Sequence, residues 1–364
     1  MPRYFARLLC AALLGLSSVA AWGAPSLAGD VIRDLQALEA SFEQGKLERA
    51  VRHGKRQAER FASGNAADRY ASALYRQLVA SALAEQKRYG AAAGQLARAR
   101  QALGPKSELS RRWLREQAEL YRAGGDNDRA VARLSEWLDS APAGAERRDA
   151  RWRLIGWLAQ EKRWEDAARA LEAAGEVATE RRRRLALAVN LNAGRMDKAL
   201  DELTAELGPD SSADAWRQAA GVAQRAGRPG VAAGLWDTAW RLGRLERPAD
   251  YWQLIDLHIS GGTPARAAEL LDAGLAAGRV VRSALTLSLR ATAWQQARDV
   301  SHALKARRAL ALHTQSAEQW RMLGRLAYAR GQDAQARAAF ERAVALGDEQ
   351  AKPWLAALKA GSGQ

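Results

Sequence analysis

The chain has almost no cysteine, little histidine, and little phenylalanine or methionine. Its one cysteine, Cys10, falls in the first apolar stretch. The remainder can form no disulfide and do no thiol chemistry, so its core must hold it together unaided. The four histidines, His53, His258, His302 and His313, have no neighbouring histidine or carboxylate at metal-ligand spacing. His302 and His313 fall nearly on one helix face, but more than a turn apart, too far to share an ion. There is no HExxH, no CxxC, no glycine-rich phosphate loop and no G-x-S-x-G elbow. Gly261-Gly262-Thr263 resembles a loop fragment but lacks a lysine partner. With no convergent nucleophile and base, the sequence offers no catalytic, cofactor-binding or metal residues. Period-two alternation is also missing, which leaves a sheet without material. Acidic residues are outnumbered, 41 Asp and Glu against 56 Lys and Arg, for a formal charge of +15.

Long apolar runs are confined to the start. Arg3 and Arg7 precede an apolar stretch at 8–19, followed by Ala20-Ala21-Trp22-Gly23-Ala24-Pro25. This is the layout of a secretory signal, with cleavage expected after Gly23 or, as second choice, after Ala21. The stretch is short of the roughly 20 residues a spanning helix needs. Cys10 sits near its beginning, whereas a lipid-anchoring cysteine would follow it. The expectation is a signal peptide at 1–23, export to the periplasm, no stable membrane insertion after cleavage and no nucleic-acid partner. The excess of arginine fits an anionic partner. It fits equally well a helical surface solvated mainly by arginine.

What the chain has in quantity is helix formers in a repeating order. The segment 316–346, SAEQWRMLGRLAYARGQDAQARAAFERAVAL, reads as two helices joined at Gly331. Trp320, Leu323, Gly324 and Ala327 share one face of the first; Ala336, Phe340 and Ala343 share one face of the second. The turn residue followed five places later by alanine recurs eight times upstream. The pairs are Gly45/Ala50, Lys87/Ala92, Gly125/Ala130, Lys162/Ala167, Gly194/Ala199, Gly227/Ala232, Gly262/Ala267 and Arg298/Ala303. The alanines are 42, 38, 37, 32, 33, 35, 36 and 33 residues apart. A large apolar residue follows most of them by four places (Leu96, Leu134, Leu171, Leu203, Trp236, Leu271, Phe340). Gly54 and Arg307 break that rule.

The W-x2-L-G and A-x3-F patterns of the last unit resemble the tetratricopeptide repeat, a helix-turn-helix unit of 34 residues. The resemblance extends over residues 26–360. It implies an all-α, right-handed superhelical solenoid of about nine repeats. The expected layout is a capping hairpin at 24–65, the repeat array at 66–346, and a C-terminal capping helix and tail at 347–364. The family is one of non-enzymatic protein-binding scaffolds that capture peptides in a groove lined by first helices. The seventh repeat, from Tyr251-Trp252-Gln253-Leu254 to Gly274-Leu275-Ala276-Ala277-Gly278, and the closing Trp354-Leu355-Ala356-Ala357-Leu358, are similar to the periplasmic tetratricopeptide proteins that accompany TonB-ExbB-ExbD systems. That similarity implies an accessory role in outer-membrane uptake, with TonB-complex components as partners.

The repeat register places Arg112, Arg115, Trp152, Arg181 and Arg184 on the groove side of first helices. It does the same for Arg217, Trp252, Arg321 and Arg325, and Tyr328 joins the candidate set. Such a groove suits an acidic peptide segment. An anionic glycan stacked on the tryptophans, or a scaffold for envelope polymer or pilus assembly, are the alternatives. Trp216, Trp236, Trp294 and Trp320 stand where the repeat needs a large core residue. The run Arg181-Arg182-Arg183-Arg184 opens a helix, where cations oppose the helix dipole.

Overall fold

The computed structural model describes residues 25–175 and 179–361. The expected signal peptide, Cys10 within it, and the last tail residues lie outside the described residues. Among those described there are nineteen α-helices and no strand. They form two compact units, divided between Ala193 and Gly194.

The first unit is a run of hairpins. α1 (Gly29–Glu43) pairs with α2 (Leu47–Arg60), and α3 (Ala66–Glu85) with α4 (Tyr89–Leu103). α5 (Glu108–Ala123) pairs with α6 (Asn127–Ser140), and α7 (Ala145–Gln160) with α8 (Trp164–Glu172); α9 (Glu180–Asn192) ends the unit. The second opens with α10 (Met196–Ala205). Its hairpins are α11 (Ala213–Arg225) with α12 (Pro229–Arg241), α13 (Pro248–Ser260) with α14 (Pro264–Ala276), α15 (Ala284–Gln296) with α16 (Val300–Thr314), and α17 (Ala317–Tyr328) with α18 (Asp333–Ala345). A 3-10 turn, Glu349–Ala351, leads into α19 (Lys352–Gly361).

Local chemistry explains most boundaries. Asn65 caps α3 through a reciprocal box with Asp68. Asp126, Thr179, Ser212, Ser283, Asp299 and Ser316 each accept a backbone N–H of the first turn that would otherwise lack a partner. Pro229, Pro248 and Pro264 occupy first helical positions, where proline's missing N–H costs nothing.

The repeat register holds at every turn. All nine turn residues, from Gly45 to Gly331, have positive φ. All nine alanines that follow them, from Ala50 to Ala336, are buried. A methyl is the largest group that lets the second helix lie this close to the first, while the left-handed residue turns the chain back. Three turns carry a lysine or arginine instead of glycine: Lys87, Lys162 and Arg298, with φ of 59°, 58° and 60°. Their side chains are exposed. The left-handed conformation costs a residue with a Cβ about 1–2 kcal/mol, more than the about 0.4–1 kcal/mol that glycine's unfolded-state freedom costs. Lys162→Gly is therefore expected to stabilise the first unit by about 1 kcal/mol, read as a raised denaturation midpoint with unchanged slope.

The first break in the apolar rule has a packing cause. A Cβ on Gly54 would come within 2.6 Å of Val79 Cγ2 and 3.2 Å of Leu38 Cδ2. Here α2 is pressed between α1 and α3, and no side chain fits.

Candidate functional site

The ten expected groove residues divide into three fates. Trp252, on α13, is exposed, as is Tyr328 on α17. Trp152 corrects the expectation, because it is buried at 6 % relative exposure. Arg182, from the next first helix α9, lies over its ring at 5.5 Å and closes off the side that the single-repeat register leaves open.

The arginines are largely engaged within the chain. Arg112 pairs with Glu116 at 2.9 Å, and Arg115 with Glu146 while also covering Trp137. Arg184 pairs with Glu180 at 2.8 Å, and that hydrogen bond holds the Glu180 carboxyl below its usual range. Arg217 reaches Asp250 at 2.9 Å, Arg321 reaches Asp348 at 2.7 Å, and Arg325 lies over Trp354 at 5.5 Å. Arg181 is exposed, with no pairing seen among the described residues. The basic run of α9 thus has an intramolecular use: Arg182 goes to Asp149 and Trp152, Arg183 and Arg184 to Glu180.

These pairs follow a rule that the sequence did not display. Arg100–Glu136 (2.8 Å), Arg122–Glu161 (2.8 Å), Arg163–Asp128 (3.3 Å), Arg217–Asp250 (2.9 Å) and Arg244–Asp210 (2.8 Å) span sequence separations of 33 to 39 residues. Each therefore ties one repeat to the next. The exposed pairs among them are each worth about 0–1 kcal/mol and act mainly on how neighbouring repeats seat, whereas Arg217–Asp250, with its carboxylate buried, is worth more.

Apolar exposure is distributed unevenly. The exposed large apolar side chains among the described residues are Val231, Leu242, Trp252, Val281, Leu285, Leu312, Met322, Tyr328 and Leu346, all in the second unit. Val281 and Leu285, at 78 % and 81 %, are the most open.

The second unit also holds an open cleft of about 680 Å³ between α16, α17 and α18. Leu312, Trp320, Leu323, Ala338 and Ala339 supply its apolar surface; Arg308, Arg342, Gln315 and Gln335 supply its polar rim, and no acidic residue lines it. Trp320, expected in the core, is half-buried and packs on the core from this side. Among the described residues neither Arg308 nor Arg342 meets a carboxylate; Arg342 donates to Gln315 Oε1 at 3.4 Å. Gln315 has φ +52°, where the corresponding inter-repeat turns use Gly104, Gly243, Gly278 and Gly347. Its amide Nε2 donates to the Leu312 carbonyl at 2.8 Å.

These cleft residues were not among those expected from sequence. The signal for them was the irregularity of the eighth repeat. Arg307 stands where a large apolar residue belongs, half-buried, with burial pushing its pKa down and Gln295 accepting from it at 3.0 Å. Departures from an otherwise consistent pattern concentrate where a chain does something besides fold.

Other polar clusters read as internal fastenings. Asp34 accepts from Tyr75 at 2.7 Å and meets His53 at 2.9 Å, tying α1, α2 and α3 together. Burial is the main reason the Tyr75 hydroxyl is driven far above its ordinary range. Buried His258 pairs with Thr263 at 2.8 Å across its own turn. Among the described residues no group of three His, Cys, Asp or Glu could hold a metal, and no helix is long and apolar enough to cross a membrane.

No family model and no curated protein matches the chain. Its structural neighbours are tetratricopeptide and pentatricopeptide repeat proteins. A tetratricopeptide repeat protein from Parabacteroides merdae is 14% identical, with 68% of this chain and 98% of that one covered at a TM-score of 0.30. The TPR domain of P58(IPK) is 13% identical over 91% of this chain and 98% of that one, at 0.26. The maize pentatricopeptide repeat protein PPR10 is 16% identical over 98% of this chain and 56% of that one, at 0.30. At such scores the repeat assignment rests on the chain's own left-handed turns and buried alanines.

Proposed function

We propose that this protein is a non-enzymatic protein-interaction scaffold working in the periplasm, as an accessory of a TonB-type energy-transduction complex. The observation that carries the scaffold reading is the confinement of exposed large apolar side chains to the second unit. Each of these side chains is apolar surface that a bound partner would remove from water. Stacked hairpins suit this role, since side chains held on rigid helices lose little freedom on binding. The periplasmic part of the reading rests on the signal-like residues 1–23. The TonB part rests on the similarity of the seventh repeat and the closing helix.

The test is site-specific photo-crosslinking in intact cells, with the photoreactive residue at position 252 in one strain and at exposed Arg129 of the first unit in another. The expected result is recovery of TonB, ExbB, ExbD or an outer-membrane receptor from position 252 only. Recovery of polymer-export or pilus components instead would replace the TonB proposal and keep the scaffold. Absence of any protein adduct from position 252 would sink the scaffold reading itself.

A further inference from the structure

Granting the scaffold reading, the geometry points to the cleft between α16, α17 and α18 as a docking site for an acidic peptide segment carrying an aliphatic side chain. The site is additional to the first-helix face that carries Trp252, whose neighbouring arginines are mostly engaged within the chain.

Many of the described arginines find a carboxylate or an aromatic ring, whereas Arg308 and Arg342 share one cleft with no acidic lining residue among those described. Two guanidiniums on one cleft without a counter-charge there make its rim positive. A ligand carboxylate supplies the missing counter-charge and can take two parallel N–H donors from either fork. Arg342 is partly pre-positioned, because Gln315 accepts one of its donors and is itself tethered to the Leu312 carbonyl. Gln315 keeps this arrangement in a left-handed conformation that glycine would adopt without strain. The strain is retained at a turn whose own side chain lines the cleft.

The rest of the lining selects among anions. Leu312 is half-exposed and Ala338 is exposed beside it, apolar surface over buried Leu323 and Ala339 that inorganic phosphate would leave uncovered. A glycan would need an open ring to stack on, whereas Trp320 is half-buried against the core. A peptide uses every part of this surface. Its carboxylates meet Arg308 and Arg342, its aliphatic side chain covers Leu312, and its backbone can pair with the amides of Gln315 and Gln335. The volume of about 680 Å³ suits a few peptide residues. The chain's formal charge of +15 draws an acidic partner in from solution.

The experiment is fluorescence polarisation on the full-length mature protein with three labelled synthetic peptides. One alternates glutamate and leucine, one alternates glutamate and glycine, and one alternates lysine and leucine. Binding of the first is expected to exceed that of the other two by about tenfold or more, and to weaken with added salt. Arg308→Glu with Arg342→Glu is expected to lose it by about tenfold or more, while Arg330→Glu, an exposed arginine outside the cleft, stays within about twofold. Circular dichroism melts of both variants check that folding is unchanged, and Gln315→Gly supplies a variant that relieves strain but removes the amide. Equal binding of both glutamate peptides, or unchanged binding by the double variant, would overturn the assignment. Photo-crosslinking separates this from the larger reading. A partner still captured by the double variant overturns the cleft alone, and no partner captured by the wild type overturns the scaffold.

Discussion

Phe340→Ala is expected to destabilise the second unit by about 3–5 kcal/mol, the range for emptying a fully buried aromatic site. Phe340 is 0 % exposed and stands at the centre of the last hairpin, among Leu323, Ala327, Ala336 and Ala343. Gly324 lies directly against it. A Cβ built on Gly324 would sit 2.7 Å from both Cδ1 and Cε1 of the ring. The glycine of W-x2-L-G and the phenylalanine of A-x3-F are thus two halves of one contact across the hairpin. Gly324→Ala should cost about 1–3 kcal/mol by overpacking. Gly324→Ala combined with Phe340→Leu should cost less than the sum of the separate changes, because the smaller branched side chain vacates space the methyl needs. Urea denaturation of the four proteins closes the cycle. Simple additivity would show that the two positions do not share a space. Trp354 of α19 stacks on Phe340 at 5.7 Å, so hydrogen exchange in α19 should speed up in Phe340→Ala before the rest of the unit loosens.

Arg217→Ala is expected to cost about 2 kcal/mol at neutral pH. Asp250 is 4 % exposed at the first turn of α13, and Arg217 of α11 reaches both its oxygens, at 2.9 and 3.3 Å. Without Arg217 the carboxylate keeps only Arg247, through its backbone N–H at 3.1 Å and its Nε at 3.4 Å. Burial by itself would raise the Asp250 pKa, but hydrogen bonds from Arg217 and Arg247 outweigh it and leave the carboxyl below its ordinary value. The sign of the pH dependence follows. A carboxyl depressed in the folded state stabilises fully above its unfolded pKa of about 4, and loses that contribution as pH falls through the lower folded value. Wild type should therefore lose stability below about pH 4 more steeply than Arg217→Ala, whose carboxyl has less to lose. Denaturation midpoints at pH 7 and pH 3 measure it. A gap between the two proteins that does not narrow in acid would show that Arg217 acts through packing alone.

Much of the fold could be read along the chain, because a repeat records its geometry as size and spacing. The alanine five places after each turn is a steric requirement, and the nine turns appeared at the expected positions even where lysine or arginine replaces glycine. Gly54 looked like an irregularity and proved to be a point of closest approach among three helices. The binding surface was less readable. Trp152 and Trp252 occupy similar register positions on their own helices, yet one is covered by Arg182 and the other stands open. A repeat pattern describes one hairpin, whereas exposure depends on what the neighbouring repeat lays over it.

Sequence alone determined the helices, their turns and the small residues that let them pair, since these depend on residues within one repeat length. It also determined the excess of arginine. Tertiary structure decided which of those arginines are already neutralised. The partners of Arg217, Arg244 and Arg321 lie 27 to 34 residues away, on the next turn of the stack, and only stacking brings the charges together. The same packing left Arg308 and Arg342 facing a cleft without an acid, because whether a cation has a partner depends on distances between repeats that no local pattern encodes.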